Sequence, residues 1–330
     1  MSSSSSFRPN SLEARDIESL VHPYTNLSRH RETGPHVIER GKGIYVYDTD
    51  GRALIEGMSG LWCTALGYGE EELIRAATQQ MEKLSFSHLF GHKSHEPAVE
   101  LAEMLKARAP VPFSSHESSK VLFMNSGSEA NDAAIKLIWY YNNAIGRPEK
   151  KKIIARDRAY HGITVASASL TMLPANQNDW DLPIPGFLRT RCPHAYREAQ
   201  ADETEEAFAA RLADELEELI LAEGPETIAA MFAEPVQGAG GVIIPPEGYF
   251  PAIQNVLKKY DILLVADEVI TGFCRTGNYW GSQSLGAKPD ILTCAKALSS
   301  AYLPIGALLI PDFIEDALIS QSEKLGTFGH

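Results

Sequence analysis

Beyond Lys120 one unit recurs along the chain: a short, continuously apolar run, then a polar or glycine-bearing turn, then a long amphipathic helix. The runs are Val121–Met124, Ile153–Ala155, Ile228–Ala233, Ile262–Ala266 and Ile291–Cys294, and helices are predicted at 129–143, 205–223 and 250–260. A strand that is apolar at every position is covered on both faces, and strands alternating with helices of this length build a mostly parallel sheet with crossover helices. The fold class is therefore α/β.

Ahead of that repeat, Val37–Ile38, Ile44–Tyr47 and Ala53–Ile55 are short β-type runs, and Asp48-Thr49-Asp50-Gly51 is a hairpin signal between the last two. They predict a small antiparallel ribbon. Residues 71–84 and 97–107 then carry apolar side chains at helical spacing. Pro174 to Arg197 is rich in Pro, Asn, Asp and aromatic residues without periodicity, so a long surface connection is expected there. Nothing in Gly326–His330 closes a fold, and the native chain is expected to continue. With about 150 residues per domain, the 330 residues divide into an N-terminal segment and ribbon over 1–66, which form part of a small domain, a large α/β domain over 67–320, and the start of a C-terminal region over 321–330.

Charge excludes one class of partner. Lys+Arg number 30 and Asp+Glu 43, a formal net charge of −13 that repels a phosphate backbone, so no nucleic acid is expected. Apolar runs such as Ile262–Ala266 are far shorter than the ~18 residues of a membrane-spanning helix, so no membrane is expected either. Met1, Ser2–Ser6, Phe7 and Arg8 lack the apolar core of a secretory signal and read as a loose tail. Cys63, Cys192, Cys274 and Cys294 are scattered without a C-x-x-C pair, which fits a reducing cytoplasm better than a disulfide framework or zinc knuckle.

In open parallel sheets, ligands bind outside the carboxyl ends of the strands. The residues just after the apolar runs share a theme: Asn125-Ser126-Gly127-Ser128-Glu129, Tyr160-His161-Gly162, Glu234-Pro235-Val236-Gln237-Gly238, Asp267-Glu268-Val269 and Ala295-Lys296. Ser126-x-x-Glu129 is a capping box opening a helix; the same turn, with Gly127 admitting close backbone approach, suits a phosphate at a helix N-terminus. Asp267 ends a very apolar run, where it serves either as a cap or as the partner of something positive, such as a ring nitrogen that must stay protonated. Lys296 either reaches out from a strand end to solvent or, partly desolvated, supplies the neutral amine that forms a Schiff base.

Taken jointly and in order, these segments resemble the class III, fold-type I pyridoxal-phosphate aminotransferases. The likeness covers about Pro35 to the end and includes Asn125–Asn131, Tyr160–Gly162, Glu234–Gly241, Asp267–Phe273 and Pro289–Lys296. It implies that Lys296 carries pyridoxal 5′-phosphate as an internal aldimine and then shuttles the substrate proton, with Asp267 keeping the ring nitrogen protonated. Ser126, Gly127 and Ser128 would form the phosphate turn, Tyr160 and Val269 would cover the two ring faces, and His161 and Glu234 would complete the cofactor site, Glu234 near Asp267 and the ring hydroxyl. Gly60-Leu61-Trp62-Cys63 resembles the pocket segment of the ω-amino acid, taurine or amine:pyruvate branch, so Trp62 beside Tyr160 and, from His22-Pro23-Tyr24-Thr25, Tyr24 are implied substrate contacts.

The implied reaction is ping-pong transfer of an amino group from an ω-amino acid or amine to a keto acid, pyruvate first, in a homodimer with shared sites. Ile270 stands where many members carry a glutamine, which favours the amine:pyruvate branch over 4-aminobutyrate, ornithine or diamine enzymes that use 2-oxoglutarate. Ala297 and Cys274 replace glycines usual in the family, and Ala297 would crowd its loop at a positive φ. A phosphate-binding threonine and a carboxylate-binding arginine, expected after a segment like Thr327–His330, are not among these residues, so an inactive binding-competent fragment is an alternative.

Two other chemistries compete. Gly238-Ala239-Gly240-Gly241-Val242-Ile243 begins like a dinucleotide fingerprint but lacks its last glycine. His88, His92 and His95 cluster in sequence without an H-E-x-x-H pattern and read as solvated loop residues rather than a metal centre.

Overall fold

The computed structural model describes residues 7–110 and 120–330; the Ser2–Ser6 tail lies outside the described residues. The chain divides into two compact units, Met1–Thr78 and Gln79–His330.

In the first unit, helices Leu12–Ser19 and Leu27–Thr33 are capped by Ser11 and Asn26, whose side chains accept from Ala14 N and Arg29 N. The predicted ribbon follows as β1 (Ile38–Lys42), β2 (Tyr45–Asp48) and β3 (Ala53–Ile55), antiparallel in that order. Its hairpin turn is built by Asp48, whose buried Oδ1 accepts N–H bonds from Asp50 at 3.1 Å and Arg52 at 2.9 Å. A short aspartate that satisfies nearby backbone donors makes this sequence turn.

The second unit is built on seven strands: β4 (Lys120–Met124), β5 (Lys152–Arg156), β6 (Phe187–Thr190), β7 (Ile228–Ala233), β8 (Leu263–Asp267), β9 (Ile291–Cys294) and β10 (Gly306–Ile310). Their order is β4-β10-β9-β8-β7-β5-β6, and every pairing is parallel except the two made by β10. Alternate residues feed opposite faces, as a period of two requires. Ile153 and Ala155 pack with the helix Gly127–Ala144 through Ala133, Ala134, Leu137 and Ile138. Ile154, Met231 and Leu264 pack on the other side with helices Glu205–Glu223 and Tyr249–Lys259. Both faces are covered, which is why the strands read as continuous apolar runs. Among the described residues no helix is long and apolar enough to cross a membrane.

Three elements correct the sequence reading. Pro174–Arg197 is not one surface connection, because it contains β6, the sheet's edge strand, where Phe187 is buried and Arg189 is exposed. Strand β10 and the helix Asp312–Ser320 are two further elements beyond the sequence expectation; Gly306–Ile310 is apolar throughout and fully buried.

Candidate active site

The carboxyl ends of β9, β8, β7 and β5 are consecutive along one sheet edge, so Lys296, Asp267, Glu234 and Tyr160 follow one another across it. Asp267 closes β8 with Thr293 of β9 as its Cα partner, and Lys296 comes three residues after Thr293. One strand spacing and three residues of chain keep the two Cα atoms within about 16 Å. Lys296 itself adopts φ +47, in the left-handed region that costs a side-chain-bearing residue about 1 kcal/mol or more.

Asp267 is buried, and its carboxylate is firmly held. Oδ1 accepts from Val269 N at 3.0 Å; Oδ2 accepts from Asn131 Nδ2 at 2.8 Å and lies 2.7 Å from His161 Nδ1. Asn131 also donates to the His161 carbonyl at 2.6 Å and accepts from Thr293 Oγ1 at 2.8 Å. The His161 backbone is fixed in turn by its N–H bond to Thr171 Oγ1 at 2.8 Å, and its ring meets Phe232 edge-on at 6.0 Å. These contacts use three of the roughly four acceptor positions of a carboxylate.

Glu234, one strand further on, is buried and ties two loops together, accepting from Tyr160 N at 3.0 Å and Gly238 N at 2.9 Å. Burial pushes its carboxyl above the ordinary range, nearby Asp267 adds to that, and His161 and Arg156 oppose it. Fully buried Arg156 donates to the Glu234 carbonyl. Ile270 abuts the same loop, since a methyl group on Gly238 would sit 2.5 Å from its Cδ1.

On the far side, Ser126 caps the helix Gly127–Ala144, accepting from Glu129 N at 3.2 Å. The predicted box is modified: Glu129 reaches back to Asn125 N at 2.7 Å instead of to the cap residue's own N–H. Gly127 and Ser128 open the helix, so their N–H groups have no acceptor within it. A methyl group on Gly127 would lie 2.8 Å from Val269 Cγ2 and 3.5 Å from Ala295 Cβ, so this turn packs against the ends of β8 and β9. Ser128 Oγ accepts from Ile163 N at 3.1 Å, which fastens the segment after Tyr160-His161-Gly162 to the same turn.

The structure thus brings Ser126, Gly127, Ser128, Tyr160, His161, Glu234, Asp267, Val269 and Lys296 to one edge of the Gln79–His330 unit. Trp62 and Tyr24 belong to Met1–Thr78. Trp62 ends a left-handed turn in which Ser59, Gly60, Leu61 and Trp62 have φ of +48, +57, +67 and +61, and Tyr24 is 74% exposed. Asn131 and Thr293 join the site beyond the sequence expectation; each is a polar side chain set among buried neighbours, Asn131 beside Ala130, Ala133 and Ala134, and Thr293 within Ile291–Cys294. Glu268, next to Asp267, turns away to accept from Thr271 Oγ1, Gly281 N and Ser282 N at 2.5, 2.9 and 2.7 Å.

The competing chemistries lack support in the geometry. Gln237 and Ile243 pair across a tight turn and the next helix begins only at Tyr249, so no strand-turn-helix frames the glycines. His88 and His92 are exposed, and the histidines at 88, 92 and 95 do not gather into a metal-binding group.

Residues 27–330 match the model of the family described as aminotransferase class-III. The omega transaminase from Pseudomonas jessenii, solved in complex with PMP, is 58% identical with a TM-score of 0.94, over 97% of this chain and 70% of that one. Gamma-aminobutyrate transaminase 1, mitochondrial, from Oryza sativa subsp. japonica is 54% identical, and the protein of that name from Solanum lycopersicum is 53% identical, each over 94% of this chain. The chain spans about 60% of the length of both. A family match over nearly the whole described chain, on a sheet that carries the matching segments at one edge, establishes that the chain belongs to the class-III aminotransferases.

Proposed function

We propose that the protein is a pyridoxal-phosphate-dependent aminotransferase that moves an amino group from an ω-amino acid or amine to pyruvate. The observation that carries this reading is the buried Asp267 carboxylate, held by Asn131, His161 and Val269 one strand from Lys296. The residues fit the cofactor. The N-terminal turn of the helix Gly127–Ala144 suits a phosphate, Asp267 retains acceptor capacity for a ring N–H, and the spacing to Lys296 is one that a lysine side chain and a pyridine ring span.

When bound, the cofactor supplies an electron sink for the charge left as the substrate proton departs. Lys296 would hold the cofactor and would move the substrate proton as general base. Asp267 keeps the ring nitrogen protonated, and His161 and Asn131 keep Asp267 in place. Ser126, Gly127 and Ser128 hold the phosphate, Tyr160 and Val269 enclose the ring, and Glu234 fixes the Tyr160 loop. Trp62 and Tyr24 contact substrate.

The donor assignment is supported by Ile270 against Gly238, where a glutamine would mark the aminobutyrate branch, and by the likeness to omega transaminases. A second reading, a 4-aminobutyrate transaminase, is supported by the plant relatives. The half-reaction decides: protein loaded with pyridoxal phosphate is mixed with taurine, β-alanine, an aromatic amine or 4-aminobutyrate, and loss of the visible cofactor band is timed. Faster loss with the first three supports the first reading; fastest loss with 4-aminobutyrate replaces it by the second.

A homodimer is part of the proposal, supported by exposed apolar side chains between residues 81 and 104, including Phe86 and Phe90 at 76% and 72% exposure. Cys63, Cys192, Cys274 and Cys294 form no disulfide among the described residues, which supports a reducing compartment, the cytoplasm.

A further inference from the structure

Three side chains far from the sheet edge in sequence converge on one point. Asp16 lies on the helix Leu12–Ser19, His30 on the helix Leu27–Thr33, and His22 in the segment that joins them. His22 Nε2 is 2.9 Å and His30 Nε2 is 3.1 Å from the same oxygen, Asp16 Oδ1. The two rings lie 4.2 Å apart with 37° between their planes. Among the described residues this is the one group in which three such ligand atoms fall within 4.8 Å of one another. The Asp16 and His30 side chains are 14% and 9% exposed, whereas His22 is 30% exposed and leaves one side open to water.

Two imidazoles that aim the same nitrogen at one carboxylate oxygen from adjacent, tilted rings offer more ligand atoms than an ion pair needs. Tetrahedral zinc with bonds of 2.0–2.1 Å places neighbouring donor atoms about 3.3 Å apart. The two observed oxygen–nitrogen separations fall just short of that edge, so a small outward movement of the rings would bring them to it. Two imidazole nitrogens and a carboxylate oxygen form a borderline donor set suited to zinc-class ions, and water would occupy the fourth position. The helices that carry Asp16 and His30 are each fixed by a side-chain cap, so the donors sit on ordered supports.

We propose that Asp16, His22 and His30 form a binding site for a divalent transition metal ion of the zinc class. The ion clips the two N-terminal helices together and fixes the segment Pro23–Thr25 between them. The site is independent of the aminotransferase reading.

The test is a titration of the purified full chain, stripped of metal, with cobalt(II). The expected result is a tetrahedral d–d absorption band that saturates at one equivalent and disappears when zinc(II) is added. Affinity should fall by more than about tenfold in His30→Gln and in Asp16→Asn, as removal of a ligand or its support does. It should be unchanged in a His88→Gln/His92→Gln/His95→Gln variant. His22→Gln, at the more exposed position, serves as the ligand variant if the buried ones do not fold. No band at millimolar cobalt, a thiolate charge-transfer band, or a band that survives His22→Gln with undiminished affinity would each overturn the proposal.

Discussion

Asn131 shows how much one residue can decide. Its amide satisfies a carboxylate, a backbone carbonyl and a hydroxyl at once, all buried: Asp267, His161 and Thr293. Replacing it by alanine leaves those groups without their partner, and a buried polar group so orphaned costs about 1–3 kcal/mol. Asn131→Ala is expected to destabilise by that amount in chemical denaturation, and Asn131→Asp by more, because it sets a second carboxylate against Asp267. Equal stability of the two variants would contradict this arrangement. Backbone strain gives a second residue-scale prediction. Ala297, which stands where the family uses glycine, is free of it, since it is not among the positive-φ residues; Cys274, the other replacement, is exposed and sits at φ +68. Cys274→Gly is therefore expected to stabilise by about 1 kcal/mol, and an unchanged or lowered melting temperature would argue against stored strain there.

At the scale of elements, legibility followed burial. Strands β7 and β9 and the helix Glu205–Glu223 coincide with their sequence-predicted bounds: every residue of both strands is buried, and the helix buries Phe208, Leu212, Leu216 and Ile220 at helical spacing. Strand β6 was hidden for the opposite reason: an edge strand is half solvated, and Phe187-Leu188-Arg189-Thr190 lacks the unbroken apolar signature. Strand β10 has that signature, but it runs antiparallel between β4 and β9, and no long helix separates it from β9 in the chain. The site was legible for the same reason as the sheet, since strand ends were its landmarks, while Asn131 and Thr293, lying within elements, were not. The Glu205–Glu223 helix also makes a pH prediction. Arg211 on it bonds Glu203, just ahead of the helix, at 2.8 Å through both Nε and Nη2, and these bonds lower the Glu203 carboxyl from 4.5 to about 2. A lowered carboxyl pKa adds stability above the unfolded value, and that stability is lost as pH falls through the folded one. Glu203→Gln should therefore lower the melting temperature at pH 6, and its difference from wild type should shrink between pH 4.5 and 2. A difference that grows on acidification would contradict the pairing.

For the molecule as a whole, a charge of −13 keeps copies apart at long range, so association must come from apolar contact. Phe86 and Phe90 are large and exposed, and sedimentation should show a dimer that Phe86→Ser/Phe90→Ser shifts toward monomer. A wild-type monomer at micromolar concentration would remove the proposal of shared sites. The proposed chemistry places the cofactor on one lysine, Lys296, one strand away from the buried and hydrogen-bonded Asp267. The most direct measurement is to add pyridoxal phosphate, reduce with borohydride, digest, and locate the phosphopyridoxyl group by mass spectrometry. A single modified site at Lys296, lost in Lys296→Ala, is expected; a label spread over surface lysines, or one retained elsewhere in that variant, would contradict the proposed role of Lys296.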